Sequence, residues 1–118
     1  IEVVLSGMRE RKSGTIINVS SVADRNARPN GATYAATKAA IKSLTESLRM
    51  ANAKHGVRFC NLAPAKIMTP LLQQIQQNIN ENEVIDAEDL ARAALWMYQQ
   101  PQNICVRELV FAPTYYEP

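Results

Sequence analysis

Three side chains of this sequence, Ser21, Tyr34 and Lys38, have the types and the spacing of a proton-transfer site. Free tyrosine has a pKa near ~10, so it is a weak base at neutral pH unless a positive charge stabilises its anion. Lys38 follows Tyr34 by four residues, and on a helix this spacing places both side chains on one face. The lysine ammonium and the positive end of the helix dipole would both stabilise a tyrosinate. The pair is therefore predicted to give or take a proton.

Ser21 lies thirteen residues before Tyr34, at the end of a predicted strand. In parallel α/β sheets, ligands bind at the carboxyl ends of the strands, where Ser21 would stand. Its hydroxyl could hold a substrate oxygen while Tyr34 gives or takes the proton. Such a site suits the interconversion of an alcohol and a ketone or aldehyde. The hydride that leaves carbon needs a cofactor, because no side chain accepts one.

The elements that must position these residues alternate between predicted helices and predicted strands. The segments at 15–20 and 57–62 are short, apolar or β-branched, and bounded by turn residues, which is typical of strands. Strands separated by helices of this length require crossover connections, so the predicted fold is α/β with a parallel sheet and flanking helices. Helices are predicted over residues 1–11, 33–54, 70–80 and 90–100, and strands over residues 15–20, 57–62 and 108–112.

Local signals predict where these helices end and which side of the long one is apolar. Gly56 stands where a glycine commonly follows a helix, and Asp86 stands where an N-cap residue would open the last helix. The acidic stretch from residue 81 to residue 89 is interpreted as a solvated loop and a helix start. Helical spacing places four apolar residues on one face of the long helix: Ala36, Ala40, Leu44 and Leu48.

Composition and charge exclude several other classes of protein. The 118 residues are 47% hydrophobic with a net charge of +2, which predicts a folded domain and favours neither nucleic acid nor a membrane surface as partner. No apolar run approaches the ~18 residues of a membrane span. Cys60 and Cys105 form no Cys-x-x-Cys pair, so reduced core thiols in a cytoplasmic protein are expected, and no metal-ligand spacing is found. The first residues do not have the pattern of a secretory leader. Because the chain begins with Ile rather than Met, we expect a piece of a longer protein.

The motif residues resemble the classical short-chain dehydrogenase/reductase family. Residues 14–21 are similar to the family's fifth strand, which ends at its catalytic serine, here Ser21. Tyr34 and Lys38 match the family's Tyr-x-x-x-Lys signature at the usual distance from that serine. Residues 55–64 are similar to the sixth strand and the turn that follows it. The resemblance implies an NAD- or NADP-dependent dehydrogenase or reductase whose catalytic residues are Ser21, Tyr34 and Lys38.

The resemblance also implies a set of cofactor-binding positions. Thr69 falls where the family has a threonine that contacts the carboxamide or a phosphate of the cofactor. Ala65 stands where the family usually has glycine, and alanine disfavours a positive φ at that turn. Residues 108–114 are similar to the seventh strand. The positions expected to contact NAD or NADP are Tyr34, Lys38, Pro64, Ala65, Ile67 and Thr69.

Two family features are not found in this sequence. Its four glycines cannot form the Gly-rich cofactor loop, and the catalytic asparagine would lie upstream of Ile1. Asn18 lies on a strand and is not assigned that role. We therefore expect residues 1–118 to be a single partial domain, the C-terminal, catalytic half of a Rossmann-like doubly wound fold, with the cofactor-binding half absent.

Two functions remain open at this point. The first is an oxidoreductase acting on a small alcohol or carbonyl substrate, in which this segment alone is inactive. The alternative is a non-catalytic truncated fragment, or a self-associating module, that keeps the fold. The family commonly forms dimers or tetramers through the helix that carries Tyr34, and the Ala-rich face of residues 35–51 suits close helix packing. A homo-oligomer is expected.

Overall fold

The computed structural model describes residues 1–27, 29–75 and 78–116 of the chain. Helices and strands alternate along it, and short 3-10 turns occupy Val22–Asp24, Ala53–His55 and Glu81–Glu83. The helices are α1 (Glu2–Arg11), α2 (Ala32–Asn52), α3 (Pro70–Ile75) and α4 (Ala87–Gln99). The strands are β1 (Gly14–Val19), β2 (Val57–Pro64), β3 (Ile67–Met68), β4 (Ile85–Asp86) and β5 (Glu108–Phe111).

The main sheet is parallel, in the order β1-β2-β5. Every residue of the central strand β2 is buried, as expected for a parallel strand covered on both faces. Phe59 of β2 packs with Leu5 of α1 and Leu48 of α2, whereas its neighbour Cys60 packs with Met97 of α4. Because successive strand residues point to opposite faces, α1 and α2 cover one face of the sheet and α4 covers the other. The predicted α/β class with a parallel sheet and flanking helices is confirmed.

Gly56 closes the connection between α2 and β2. The helix ends at Asn52, a 3-10 turn follows, and Gly56 adopts the left-handed conformation with φ 71°. A Cβ atom at this position would lie 2.6 Å from the carbonyl oxygen of Lys12. Only glycine fits there without strain, because both the backbone angle and the close contact exclude a side chain. The predicted glycine at the end of the long helix is confirmed.

Of the four apolar residues predicted to share one face of α2, only Leu48 packs against the core. Ala36, Ala40 and Leu44 are exposed, whereas the face against the sheet carries the buried polar residues Thr45 and Asn52. Both polar side chains find partners on other elements, which removes the cost of burying them. Helical periodicity could not indicate that these polar residues are buried, because their hydrogen-bond partners, Arg9 and Asn18, are distant in sequence.

The region between β2 and α4 also differs from the prediction. The helix expected over 70–80 ends at Ile75, residues 76 and 77 lie outside the described residues, and residues 78–80 are not helical. The stretch 81–89 is more than a solvated loop, because β4 pairs with β3 in a small parallel sheet with Ile85 opposite Ile67. Two-residue strands are too short to produce a periodic signal in the sequence.

The last helix, α4, begins a few residues earlier than predicted. Asp86 is the N-cap of α4, and its carboxylate accepts a hydrogen bond from the backbone N–H of Glu88 at 3.1 Å. The helix therefore begins at Ala87, three residues earlier than the predicted start at Leu90.

Within the described ranges, no helix combines the length and the apolar character that crossing a bilayer requires.

Candidate active site

A cavity of about 440 Å³ opens at the carboxyl edge of the main sheet. Its walls come from the segments that follow β1, β2 and β5, from the start of α2 and from α3. This is the edge at which open α/β sheets bind ligands. The structure brings every predicted site residue to this one cavity: Ser21, Tyr34, Lys38, Pro64, Ala65, Ile67 and Thr69.

Ser21 is held by the turn that it begins. It is buried, and its Oγ accepts a hydrogen bond from the backbone N–H of Ala23 at 3.1 Å, so that it caps the 3-10 turn. A serine hydroxyl has one donor hydrogen and two acceptor lone pairs. Because the contact with Ala23 uses one lone pair, the hydroxyl can still donate to an oxygen in the cavity.

Tyr34 and Lys38 lie one turn apart near the start of α2, which begins after Gly31. The ammonium nitrogen of Lys38 is 5.6 Å from the centroid of the Tyr34 ring, within the range of a cation–π contact. Tyr34 is 52% exposed, so its phenol is open to a ligand that enters the cavity. The positive charge and the phenol therefore share one helix face, as the spacing predicted.

The segment after β2 forms the opposite wall of the cavity. The backbone N–H of Ala65 donates to the carbonyl oxygen of Phe111 at 2.8 Å, which extends the pairing with β5 beyond the strand. Ala65 has no positive φ, so alanine in place of the family's glycine causes no backbone strain here. Thr69 Oγ1 accepts from the backbone N–H of Leu72 at 3.1 Å and retains its own hydrogen for donation.

Other residues of the cavity were missed by the sequence reasoning. Leu71, Leu72 and Ile75 of α3 form an apolar wall of the cavity. Lys66 and Tyr116 also line the cavity. Tyr116 follows the last strand and carries no motif, so only the fold reveals its position.

A buried acid that the sequence reasoning overlooked supports the turn at Ser21. Asp24 accepts hydrogen bonds from Ser20 Oγ at 2.7 Å, Asn61 Nδ2 at 3.0 Å and Arg25 Nε at 2.7 Å. Burial acts to raise the pKa of Asp24, but these three hydrogen bonds outweigh it and hold the pKa below its ordinary value of 3.8. The hydrogen bond from Asn61 connects the turn to β2. Arg25 also forms an ion pair with Glu108 of β5.

A second polar contact positions α2 on the sheet. Asn18 of β1 donates through Nδ2 to Thr45 Oγ1 at 2.8 Å, and Thr45 donates in turn to the carbonyl oxygen of Ile41 at 2.7 Å. Thr45 is only 2% exposed, so this hydroxyl is shielded from water. The contact joins the strand that leads to Ser21 with the helix that carries Tyr34 and Lys38.

In the described part of the chain, no group of three or more His, Cys, Asp or Glu side chains lies close enough together to hold a metal ion. The polar side chains that line the cavity carry hydroxyl groups and the two ammonium groups of Lys38 and Lys66. They are suited to binding and protonating an oxygen atom.

The sequence profile described as short chain dehydrogenase matches residues 1–80. The match covers more than half of the chain, and this protein belongs to the short-chain dehydrogenase family. The family consists of oxidoreductases, which agrees with the resemblance found at the motif residues.

Relatives of known sequence are described as uncharacterized oxidoreductases. One from Staphylococcus saprophyticus is 34% identical over 113 residues, covering 96% of this chain and 47% of that protein. One from Listeria innocua is 36% identical over 124 residues, covering 97% of this chain and 50% of that protein. The chain thus spans about half the length of the curated relatives that it matches.

Solved structures share the fold. Serine dehydrogenase from Escherichia coli superposes with a TM-score of 0.83 at 26% identity, over 99% of this chain and 48% of that one. An alcohol dehydrogenase from the archaeon Thermococcus sibiricus, complexed with 5-hydroxy-NADP, has a TM-score of 0.85 at 22% identity over 99% of this chain and 48% of that one. The architecture is therefore that of half of a Rossmann-fold dehydrogenase.

Proposed function

We propose that this chain carries the catalytic residues of an NAD- or NADP-dependent oxidoreductase that interconverts an alcohol and a ketone or aldehyde. The observation that carries the proposal is the convergence of Ser21, Tyr34 and Lys38 on one cavity at the carboxyl edge of the sheet. The activity is assigned to the complete protein, since this chain spans about half the length of its relatives.

Each of the three side chains has a distinct part in the proposed reaction. The Ser21 hydroxyl holds the substrate oxygen by donating its remaining hydrogen. The Tyr34 phenol transfers the proton to or from that oxygen. Lys38, with its ammonium 5.6 Å from the Tyr34 ring centroid, stabilises the tyrosinate that remains after the proton has left.

The cavity fits the nicotinamide end of a dinucleotide cofactor. Its apolar wall from α3 suits a planar ring, and the Thr69 hydroxyl has a hydrogen to donate to an amide or phosphate oxygen. The other positions proposed to contact the cofactor are Tyr34, Lys38, Pro64, Ala65 and Ile67. When bound, the nicotinamide supplies the hydride acceptor or donor that no side chain provides.

The choice between NAD and NADP stays open in this proposal. The Thermococcus sibiricus enzyme is described as complexed with 5-hydroxy-NADP, and one structure of serine dehydrogenase, with 24% identity and a TM-score of 0.85, as complexed with NADP+. These descriptions support a nicotinamide cofactor for the family. The Gly-rich phosphate loop is not in this sequence.

We further propose that the protein is a cytoplasmic homo-oligomer, a dimer or a tetramer. The support is the exposed face of α2, where Ala36, Ala40 and the 52% exposed Leu44 have no cover in the described residues. Small side chains permit close helix packing between subunits. The same face supports the alternative function, a self-associating module without catalysis.

The test of the catalytic proposal is Tyr34→Phe in the complete protein. Loss of the phenol hydroxyl should abolish alcohol-dependent reduction of the cofactor while leaving cofactor affinity, measured by fluorescence titration, nearly unchanged. Tyr98→Phe is the matched control, because Tyr98 is similarly exposed but lies on α4, away from the cavity. Full activity in Tyr34→Phe would remove Tyr34 from its role.

A second measurement separates the two candidate functions. We expect a verified chain of these 118 residues to show no turnover of NADH or NADPH, because its sequence lacks the phosphate loop. Turnover by that chain would contradict the expectation. A complete protein that oligomerises but never turns over a panel of small alcohols and ketones would favour the non-catalytic module.

A further inference from the structure

Two cysteines lie side by side on the face of the main sheet that α4 covers. Cys60 is in the middle of β2, and Cys105 is in the segment that leads from α4 into β5. Their sulfur atoms are 4.0 Å apart, and both are free thiols. Cys105 Sγ also donates to the carbonyl oxygen of Phe59 at 3.5 Å. Neither sulfur takes part in the proposed reaction.

The distance between the two sulfur atoms is short enough for a covalent bond after a small movement. A disulfide has an S–S distance of ~2.05 Å, so the sulfurs must approach by roughly 2 Å, which rotation about the Cα–Cβ bonds supplies. The backbones run alongside each other here, since the N–H of Asn61 donates to the carbonyl oxygen of Arg107 at 2.9 Å.

The two thiols differ in reactivity. Cys60 is 1% exposed, and burial above all, together with the adjacent Cys105, raises the pKa of the Cys60 thiol to about 12. Cys60 therefore stays protonated and shielded near neutral pH. Cys105 is half-buried and can be reached by a small solute. Because Cys105 is the more accessible sulfur, it meets an oxidant first, and Cys60, whose sulfur is 4.0 Å away, is the thiol placed to react with the oxidised product.

We propose that Cys60 and Cys105 are a redox-sensitive dithiol that hydrogen peroxide converts into an intramolecular disulfide. The Cys105 thiolate attacks one peroxide oxygen, the O–O bond breaks, and hydroxide leaves to give a sulfenic acid at Cys105. The Cys60 sulfur then bonds to the Cys105 sulfur, and the sulfenic hydroxyl leaves as water with the thiol proton. Overall, two thiols lose two electrons and two protons, and peroxide is reduced to two waters.

The disulfide would close a loop of chain that includes one wall of the cavity. Between Cys60 and Cys105 lie the segment 64–69 and helix α3, both of which line the cavity. Joining the ends of this long loop restricts the unfolded chain and favours the folded state. The oxidised protein is therefore expected to melt at a higher temperature than the reduced protein.

The experiment is stepwise oxidation of the complete protein with hydrogen peroxide, followed by non-reducing peptide mapping by mass spectrometry. The expected product is a cross-linked Cys60–Cys105 peptide lighter by two hydrogens than the two free peptides, and dithiothreitol restores the thiols. In Cys60→Ser, Cys105 should accumulate as a trappable sulfenic acid. In Cys105→Ser, Cys60 should stay reduced under the same conditions.

Several results would overturn the proposal. They are two unmodified thiols in the wild type after peroxide treatment, sulfinic or sulfonic acid at Cys105 without the cross-link, or a disulfide that joins two chains. If Cys60→Ser fails to fold, the wild-type peptide map and Cys105→Ser still decide the outcome. None of these measurements depends on dehydrogenase activity, so they stand apart from the test of Tyr34.

Discussion

The two faces of the main sheet are held in different ways. On the face covered by α2, side-chain hydrogen bonds cross between elements, from Asn18 to Thr45 and from Asn61 to Asp24. On the face covered by α4, the core contacts are apolar, with Leu62 packed against the fully buried Met97, and the side-chain hydrogen bonds of Arg58 go to backbone carbonyl oxygens at the end of α4. Hydrogen bonds depend on direction and distance, whereas apolar burial depends mainly on area.

This difference follows from what each helix carries. α2 bears Tyr34 and Lys38, and its position relative to Ser21 determines whether the three can act on one substrate oxygen. A directional contact such as Asn18 with Thr45 determines how the helix sits on β1. α4 contributes none of the predicted site residues, and its central residue Met97 covers the sheet through apolar contacts. We therefore expect changes to the apolar face to affect stability and changes to the polar face to affect geometry.

The largest expected effect is on the apolar face. Met97→Ala should lower the free energy of unfolding by about 2–5 kcal/mol, because it removes a fully buried side chain and leaves a cavity. Denaturant titration of the complete protein measures the change. Leu95→Ala, on the same helix but 50% exposed, is the control and should change stability by less than about 0.5 kcal/mol. Equal losses in the two variants would contradict an apolar core beneath α4.

The next effect concerns the buried acid on the polar face. Asp24→Asn should cost about 1–3 kcal/mol, because it weakens three hydrogen bonds made to a buried carboxylate. It should also reduce activity, since Asp24 lies in the turn that Ser21 begins. Denaturant titration and kcat measured well below the melting temperature separate the two effects. If Asp24→Asn were as stable as the wild type, the hydrogen bonds made to Asp24 would contribute nothing to the free energy of unfolding.

Asp24 also predicts a pH dependence. Its pKa is lower in the folded state than the ordinary value of 3.8, so its contribution to stability is complete above that pH. The contribution is lost as the pH falls from about 3.8 towards the lower folded-state pKa, because the unfolded chain then binds the proton more readily. Melting temperatures from pH 6 down to acid should fall more steeply in the wild type than in Asp24→Asn. Parallel curves would contradict the depressed pKa.

The smallest effect on stability is expected for Thr45→Val, which keeps the shape of the side chain and removes its hydroxyl. The cost should be about 1–2 kcal/mol, because the amide of Asn18 loses its acceptor in a buried position. The change in kcat should nevertheless exceed that of Met97→Ala at a temperature where both variants are folded. Ser43→Ala, which removes an exposed hydroxyl from the same helix, is the control. An unchanged kcat in Thr45→Val would contradict the expectation that changes to the polar face affect the geometry of the site.

Local signals predicted most of the fold and the motif residues of the site. The strands at β1, β2 and β5, the cap at Asp86 and the left-handed Gly56 all follow from residue types within a few positions. Their physical causes, β-branching, capping and backbone freedom, act within one turn or strand. The spacing of Tyr34 and Lys38 likewise determined that they share a helix face.

Only the tertiary structure decided which residues meet across distant parts of the chain. The buried face of α2, the pairing of β3 with β4, the partners of Asp24, and the approach of Cys105 to Cys60 all join segments far apart in sequence. A single sequence contains no local pattern for such contacts, because they depend on the summed packing of the whole sheet. Residue chemistry thus predicted which groups could react, and packing decided how they are positioned.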